Sequence, residues 1–377
     1  MDNVKTPSVM FIAGDPSGDQ HSAPVIKSLA GKCPNVKTYG IGGPAMAQAG
    51  FQSVLPFEKF NCMGYVEVIK HLPFFLGAKK KLIKMMKAQK PDALVCVDYS
   101  GFNMPMMKAA AKLNIPVIWY IAPMVWAWKG KRAKILGDHA SHIAVIFPFE
   151  VPYFSPFKAP VTFVGNPLTE SLPNITGADK KISADNSFRL AIIPGSRHQE
   201  IKNMLPVMLE AAGILKKEHP QLKVTVSKFK GVDQELFEAA ACKGFDFFDG
   251  KLSQLLTKSD LALVTSGTAS LETALMGVPM VITYRTSALS YKIYKRFVKI
   301  PYIGLPNIIA QSEIVPECIQ NDATAQNLAD KLNRFIKEPA RREECVTNLS
   351  TLRAKLGEKT PSTEAANIIY SYIGQGL

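Results

Sequence analysis

Short apolar runs rich in β-branched residues recur along this chain, and stretches of helix length separate several of them. The first half carries SVMFIAG (8–14), VKTYGIG (36–42), ALVCVDY (93–99), PVIWYIA (116–122), HIAVIFP (142–148) and VTFVG (161–165). The second half carries LAIIPG (190–195), KVTVSK (223–228), FDFFDG (245–250), LALVTS (261–266) and PMVITY (279–284). Runs apolar on every residue suit parallel strands buried on both faces, and parallel strands need crossover helices between them. A polar, turn-rich stretch, NITGADKKISADNS (174–187), divides the two halves, and the chain from Asn327 onward reads as helices. The expectation is an α/β protein of two doubly wound Rossmann-like domains, 1–170 and 171–344. Ligands of such sheets bind beyond the carboxyl ends of the strands. The chemistry is therefore expected in the loops after the strands, in a cleft between the domains.

The net charge of +14 points to an anionic partner, whether nucleic acid, acidic lipid or a phosphorylated substrate. Lys79, Lys80, Lys81, Lys84, Lys87 and Lys90 form one dense cluster, and Lys292, Lys295, Arg296 and Lys299 another. Each cluster reads equally as a solvated helix face. The cysteines at 33, 62, 96, 242, 318 and 345 show no C-x-x-C pairing and read as buried free thiols of a reducing compartment. The N-terminus runs straight into a strand without a signal peptide. The longest uncharged stretch, Leu113 to Trp128, is broken by Pro116 and Pro123 and is too short to span a bilayer. No helix-turn-helix or aromatic-basic RNA motif stands out, so no nucleic-acid partner is expected.

The loop after the first strand, AGDPSGDQHS, fails two phosphate-binding patterns. Gly14 and Gly18 do not make G-x-G-x-x-G, and Asp19 stands where a P-loop needs lysine. Ser17 and Gln20 have capping-box spacing, and Asp19 suits the positive end of a helix dipole, which leaves Asp15 without a local role. Asp98 ends an apolar strand at the ligand edge. It reads either as a base for an attacking hydroxyl or as a cap on the next turn. Trp126 and Trp128, followed by Lys129, Lys131 and Arg132, read as stacking residues or as partial core.

In the second half, IIPGSRHQEI sets Ser196 and Arg197 at a helix start, where free N–H groups and a guanidinium suit a phosphate. His198 beside them is open to acid–base work, although an exposed helix-start histidine is the commoner case. VTSGTASLE offers a second such start, with Ser266, Gly267 and Thr268 in the turn. Two anion-ready helix ends suit a diphosphate. Ala269 cannot cap a helix and Thr268 can, which puts Glu272 one place late for a capping box. Its carboxylate is then expected to be free for a neutral diol such as a ribose. Metal chemistry is not expected. His139 and His142 are the only close histidine pair, and no Asp-x-Asp occurs.

MGYVEVIKHLPFFLGAKKKLIKMMKAQK (63–90) crowds Val68, Leu72, Phe74, Phe75 and Leu76 against Lys79, Lys80 and Lys81. Apolar residues beside lysines fit shallow insertion into an anionic leaflet. A buried helix followed by a basic surface helix is the alternative. Pro73 is expected to interrupt a helix there and to leave Phe74 and Phe75 on an exposed loop.

Together these motifs resemble the lipid-A-disaccharide synthases. The likeness rests on AGDPSGD (13–19), MGYVEV (63–68), VDYSGFN (97–103), VWAWKGKR (125–132), FPFE (147–150), PGSR (194–197), SGTASLE (266–272), YR (284–285) and LPN (305–307), spread over nearly the whole chain. The resemblance implies an inverting, metal-independent glycosyltransferase of the GT-B type, with two facing Rossmann-like domains and no cofactor. Its donor would be UDP-diacylglucosamine, its acceptor diacylglucosamine 1-phosphate, and its products a β-1′,6-linked disaccharide and UDP. It implies a cytoplasmic protein peripheral on the inner membrane, with residues 345–377 packing back on the first domain and exchange of those helices in a homodimer. Arg197, Glu272 and Asn307 match UDP-contacting positions, and Asp98 matches a proposed base. Ser196, Ser266, Gly267, Thr268 and Ala269 would complete the nucleotide-sugar site, and Asp15, Ser17, Gly18 and Asp19 an acceptor or cleft loop. The chain departs from the family pattern at Asp15-Pro16, Gly101 and Asn166. The departures keep two rivals open: another metal-independent transferase or epimerase of the UDP-GlcNAc type, and a catalytically silent homologue.

Overall fold

The computed structural model describes residues 6–60, 71–125, 130–175, 187–228, 237, 244–286, 291, 301–357 and 359–374. The chain forms two compact units, Met1–Pro167 with Leu356–Leu377, and Leu168–Lys355.

The first unit holds seven parallel strands: β1 (Ser8–Ala13), β2 (Lys37–Ile41), β3 (Gln52–Ser53), β4 (Ala93–Val97), β5 (Val117–Tyr120), β6 (His142–Val145) and β7 (Val161–Phe163). Their order is β3-β2-β1-β4-β5-β6-β7. The order reverses between β1 and β4, which pair in register from Val9↔Ala93 to Ala13↔Val97. Strand periodicity sorts the core into two layers. Met10, Ile12, Leu94, Cys96 and Trp119 pack on one face, toward the helices Leu72–Gln89, Ser100–Ala111 and Gly130–His139. Val9, Phe11, Val95 and Val97 pack on the other, with Val25, Ile26 and Leu29 of the helix Pro16–Lys32. Ala365, Ala366 and Ile369 of the last helix, Pro361–Ile373, close that second layer. Gly165 takes φ +93, which favours glycine, and a Cβ there would lie only 3.1 Å from Pro361 of the returning helix.

The second unit holds six parallel strands: β8 (Arg189–Ile193), β9 (Lys223–Ser227), β10 (Asp246–Phe248), β11 (Leu261–Thr265), β12 (Met280–Tyr284) and β13 (Glu317–Ile319). The order is β10-β9-β8-β11-β12-β13, and it reverses between β8 and β11. The helix Pro339–Lys355 stays with this unit. Residues 345–355 therefore belong here, and the part that returns to the first unit starts at Leu356. Two edge strands, β3 and β13, are too short and too polar to show as apolar runs. Cys33, Cys96, Cys318 and Cys345 are buried free thiols, while Cys62 and Cys242 lie outside the described residues. No helix among the described residues is long and apolar enough to cross a membrane.

Candidate active site

Each sheet has one switch point, and the loops flanking it carry most of the residues singled out above. In the first unit these loops follow β1 and β4. The register Ala13↔Val97 brings Gly14 and Asp15 out of the sheet beside Asp98 and Tyr99. Gly14 is pressed against the Tyr99 ring, where a Cβ would lie 2.5 Å from ring carbons.

Asp15, not Ser17, is the N-cap of the helix Pro16–Lys32, and its carboxylate accepts the Gly18 N–H at 2.8 Å. Proline fits the first helical position because the N–H it lacks would be unpaired there, so Pro16 sets the start one residue earlier than the capping-box spacing implies. Ser17 is left exposed. Asp19 is buried, and its oxygens accept from Gly43 N (2.9 Å), Ala45 N (3.0 Å) and Met46 N (2.9 Å). It caps the short helix Pro44–Gln48 from outside that helix. Gly43 is required there because its missing side chain leaves room for that carboxylate.

Asp98 and Tyr99 both adopt the left-handed conformation, at φ 40 and 42. Two such residues in succession cost on the order of 1–3 kcal/mol each. The surroundings fix them. Asp98 N–H donates to Tyr120 O at 3.0 Å. Asn103 Nδ2 donates to the carbonyls of Asp98 (2.9 Å), Val97 (3.1 Å) and Ile12 (3.2 Å). Tyr99 Oη donates to Phe60 O at 2.8 Å. Burial pushes the Asp98 carboxyl up to about 6, the Asp15 charge adds to the rise, and the Tyr99 N–H opposes it. Burial also raises Asp15, against its bond from Gly18. A carboxyl poised near neutrality at a switch point suits proton abstraction from a hydroxyl.

In the second unit the flanking loops follow β8 and β11. After β8, Pro194 and Gly195 (φ +108) turn the chain into the helix His198–Glu218, whose N-cap is Arg197 without a side-chain capping bond. Ser196 and Arg197 are exposed. The Arg197 Nη1 lies 2.6 Å from Glu200 Oε1, with the arginine side chain 64% exposed and the glutamate 16%. After β11, Ser266 Oγ donates to Ile303 O at 2.9 Å, and the helix Thr268–Leu275 begins after Gly267, again without a side-chain cap. The N-cap is thus Gly267 and not Thr268. Neither N-cap residue bonds the first turn of its helix with its own side chain, and helix starts of this kind suit anions. Beneath them Thr265 and Thr283, partners in register, bury hydroxyls without a protein partner.

Glu272 is half-buried, and burial raises its carboxyl. The backbone N–H of Ser253, in the first turn of the helix Leu252–Thr257, works against that rise. The two residues stand 19 apart in sequence, beyond the reach of capping-register arguments. The remaining lone pairs of the carboxylate stay open to a ligand. Asn307 is fully buried and fully spent. Its Nδ2 donates to Val315 O and Glu317 Oε1, both at 2.8 Å, and its Oδ1 accepts from Ile314 N (2.9 Å) and Val315 N (3.0 Å). The side chain has no bond left for a nucleotide. Glu317 also accepts from Ile303 N and Gly304 N, so the pair holds the loop that receives Ser266.

The apolar-basic segment also folds differently from its sequence pattern. Pro73 lies in the first turn of the helix Leu72–Gln89 and interrupts nothing. Phe74 and Phe75 turn inward onto buried Phe60, with ring centroids 5.0 and 5.8 Å away. Leu72 and Leu76 are 50% and 52% exposed. Lys81 Nζ donates to Val54 O at 2.8 Å, Lys80 is exposed and Lys79 half-buried. Val68, Trp126 and Trp128 lie outside the described residues.

A family profile described as Lipid-A-disaccharide synthetase matches residues 9–369. The chain belongs to that family. It is accordingly a glycosyltransferase of lipid A biosynthesis. A lipid-A-disaccharide synthase of Geobacter sulfurreducens is 34% identical over 374 residues, covering 97% of each chain. One from Chromobacterium violaceum is 34% identical over 374 residues, covering 96% of each. Among solved structures, a UDP-GlcNAc 2-epimerase from Neisseria meningitidis bound to UDP-GlcNAc shares the fold at TM-score 0.64 and 15% identity, over 98% of this chain and 100% of that one. Family membership disfavours the epimerase and silent-homologue rivals.

Proposed function

We propose that the second unit binds a UDP-linked diacylglucosamine and that Asp98 of the first unit is the base that activates a diacylglucosamine 1-phosphate acceptor. The acceptor 6-hydroxyl oxygen bonds to the anomeric carbon of the donor, and its proton passes to Asp98. The bond from that carbon to the diphosphate breaks with inversion, and UDP leaves with the electron pair. The diphosphate charge is met by Arg197 and by the helix starts at Thr268 and His198, so the reaction needs no metal. Ser196, Ser266, Gly267 and Ala269 shape that site, and Glu272 offers its open lone pairs to the ribose. The reading leans most on Asp98, a carboxyl raised to about 6 at a sheet switch point.

A product assay by mass spectrometry tests it. Asp98→Asn should retain UDP affinity while disaccharide formation collapses. Normal turnover in that variant removes Asp98 from the chemistry. We further propose that Leu72 and Leu76, with the lysines that follow, meet an anionic membrane surface, which would bring the enzyme to its acylated substrates.

A further inference from the structure

The first unit carries a second feature remote from Asp98. The helices Leu72–Gln89, Ser100–Ala111 and Gly130–His139 enclose a groove of about 400 Å³. Its floor is apolar, made by Ile83, Met104, Pro105, Ala109 and Ile135, and its rim is basic, made by Lys79, Lys108 and Lys112. Lys108 and Lys112 stand one turn apart as like charges, an arrangement that costs a helix stability unless something neutralises it. None of the three makes an ion pair among the described residues. Asp138, the acid on the neighbouring helix, is engaged by Lys134 at 2.7 Å.

We propose that this groove seats an anionic phospholipid of the bilayer, with acyl chain on the floor and phosphate among Lys79, Lys108 and Lys112. Charge complementarity selects the headgroup, and the absence of acidic lining selects against a cationic or zwitterionic one. Position separates this lipid from the substrates. Lys108 and Lys112 lie ten and fourteen residues beyond Asp98, which places them roughly 12–18 Å along the helix from its start at Ser100. Leu72, Leu76, Lys79 and Ile83 fall on one stripe of their helix at i, i+4, i+7 and i+11, so the exposed leucines lead directly into the groove. The inference rests on the membrane contact proposed above and adds Lys108, Lys112 and the groove floor to it.

Flotation of the full chain with phosphatidylcholine vesicles, with and without phosphatidylglycerol, tests the proposal. Wild type should float with the anionic vesicles only. Lys108→Glu/Lys112→Glu should bind them at least about tenfold more weakly, whereas Lys27→Glu/Lys37→Glu, an equal charge change elsewhere on the unit, should bind nearly as wild type. Ala109→Phe fills the floor without altering charge and should also weaken binding several-fold, with an unchanged circular dichroism spectrum showing that the unit is folded. Equal losses in the two charge variants would reduce the effect to net charge and overturn the site. Undiminished binding by Lys108→Glu/Lys112→Glu or by Ala109→Phe would overturn it too. Wild type that binds no vesicle would sink the membrane contact itself, a result distinct from the others.

Discussion

Replacing Asp15 by Asn isolates the electrostatic part of the Asp98 environment. Asparagine caps helices as well as aspartate does, so the start at Pro16 should survive while the negative charge disappears. The Asp98 carboxyl stands at about 6 against an ordinary 3.8, a rise worth roughly 3 kcal/mol at about 1.4 kcal/mol per pH unit. Burial supplies the larger share of it and Asp15 the next. Removing the Asp15 charge should therefore lower the carboxyl, by less than burial raises it. The observable is the acid limb of kcat/KM against pH, which reports the free enzyme. In the wild type that limb should fall near pH 6, because Asp98 must be ionised to take a proton. In Asp15→Asn it should move to lower pH, with modestly reduced plateau activity from a weaker base. A limb that stays put, or moves up, would refute the coupling between the two carboxyls.

Four further outcomes are expected. Asp98→Asn should stabilise the fold as it abolishes turnover. The folded-state carboxyl is raised, so the fold loses stability as pH rises from about 3.8 to about 6, and the substitution should gain up to roughly 3 kcal/mol in urea unfolding at pH 7.5, about half of that at pH 5 and almost none near pH 3. Arg197→Lys loses the planar fork and should raise KM for the donor about tenfold, with a smaller change in kcat; a fall in kcat with KM unchanged would point to a role in the transition state alone. Glu272→Ala should weaken UDP binding by calorimetry, and an unchanged affinity would remove this carboxylate from the nucleotide site. Asn307→Ala should cost about 2–4 kcal/mol in thermal unfolding, since it strands buried partners at Ile314, Val315 and Glu317; a small loss there would argue for a ligand role after all.

The sequence alone determined the two parallel sheets. Buried parallel strands are apolar at nearly every residue, and that signal is local. It also placed the candidate residues, because Asp98, Arg197 and the Ser266–Thr268 turn each follow such a strand directly. Tertiary structure decided what those residues do. Asp19 looked like the start of one helix and instead caps another, Pro44–Gln48, through bonds to Gly43, Ala45 and Met46. Asn307 found structural partners at Ile314, Val315 and Glu317 that no motif spacing reports. Phe74 and Phe75 turned inward because Phe60, distant in pattern but near in space, offered them a ring to pack on. The coupling of Asp15 to Asp98 exists only because β1 lies beside β4 and not beside β3. Strand order is a property of the whole sheet, and apolar periodicity, which lives within one strand, carries no record of it.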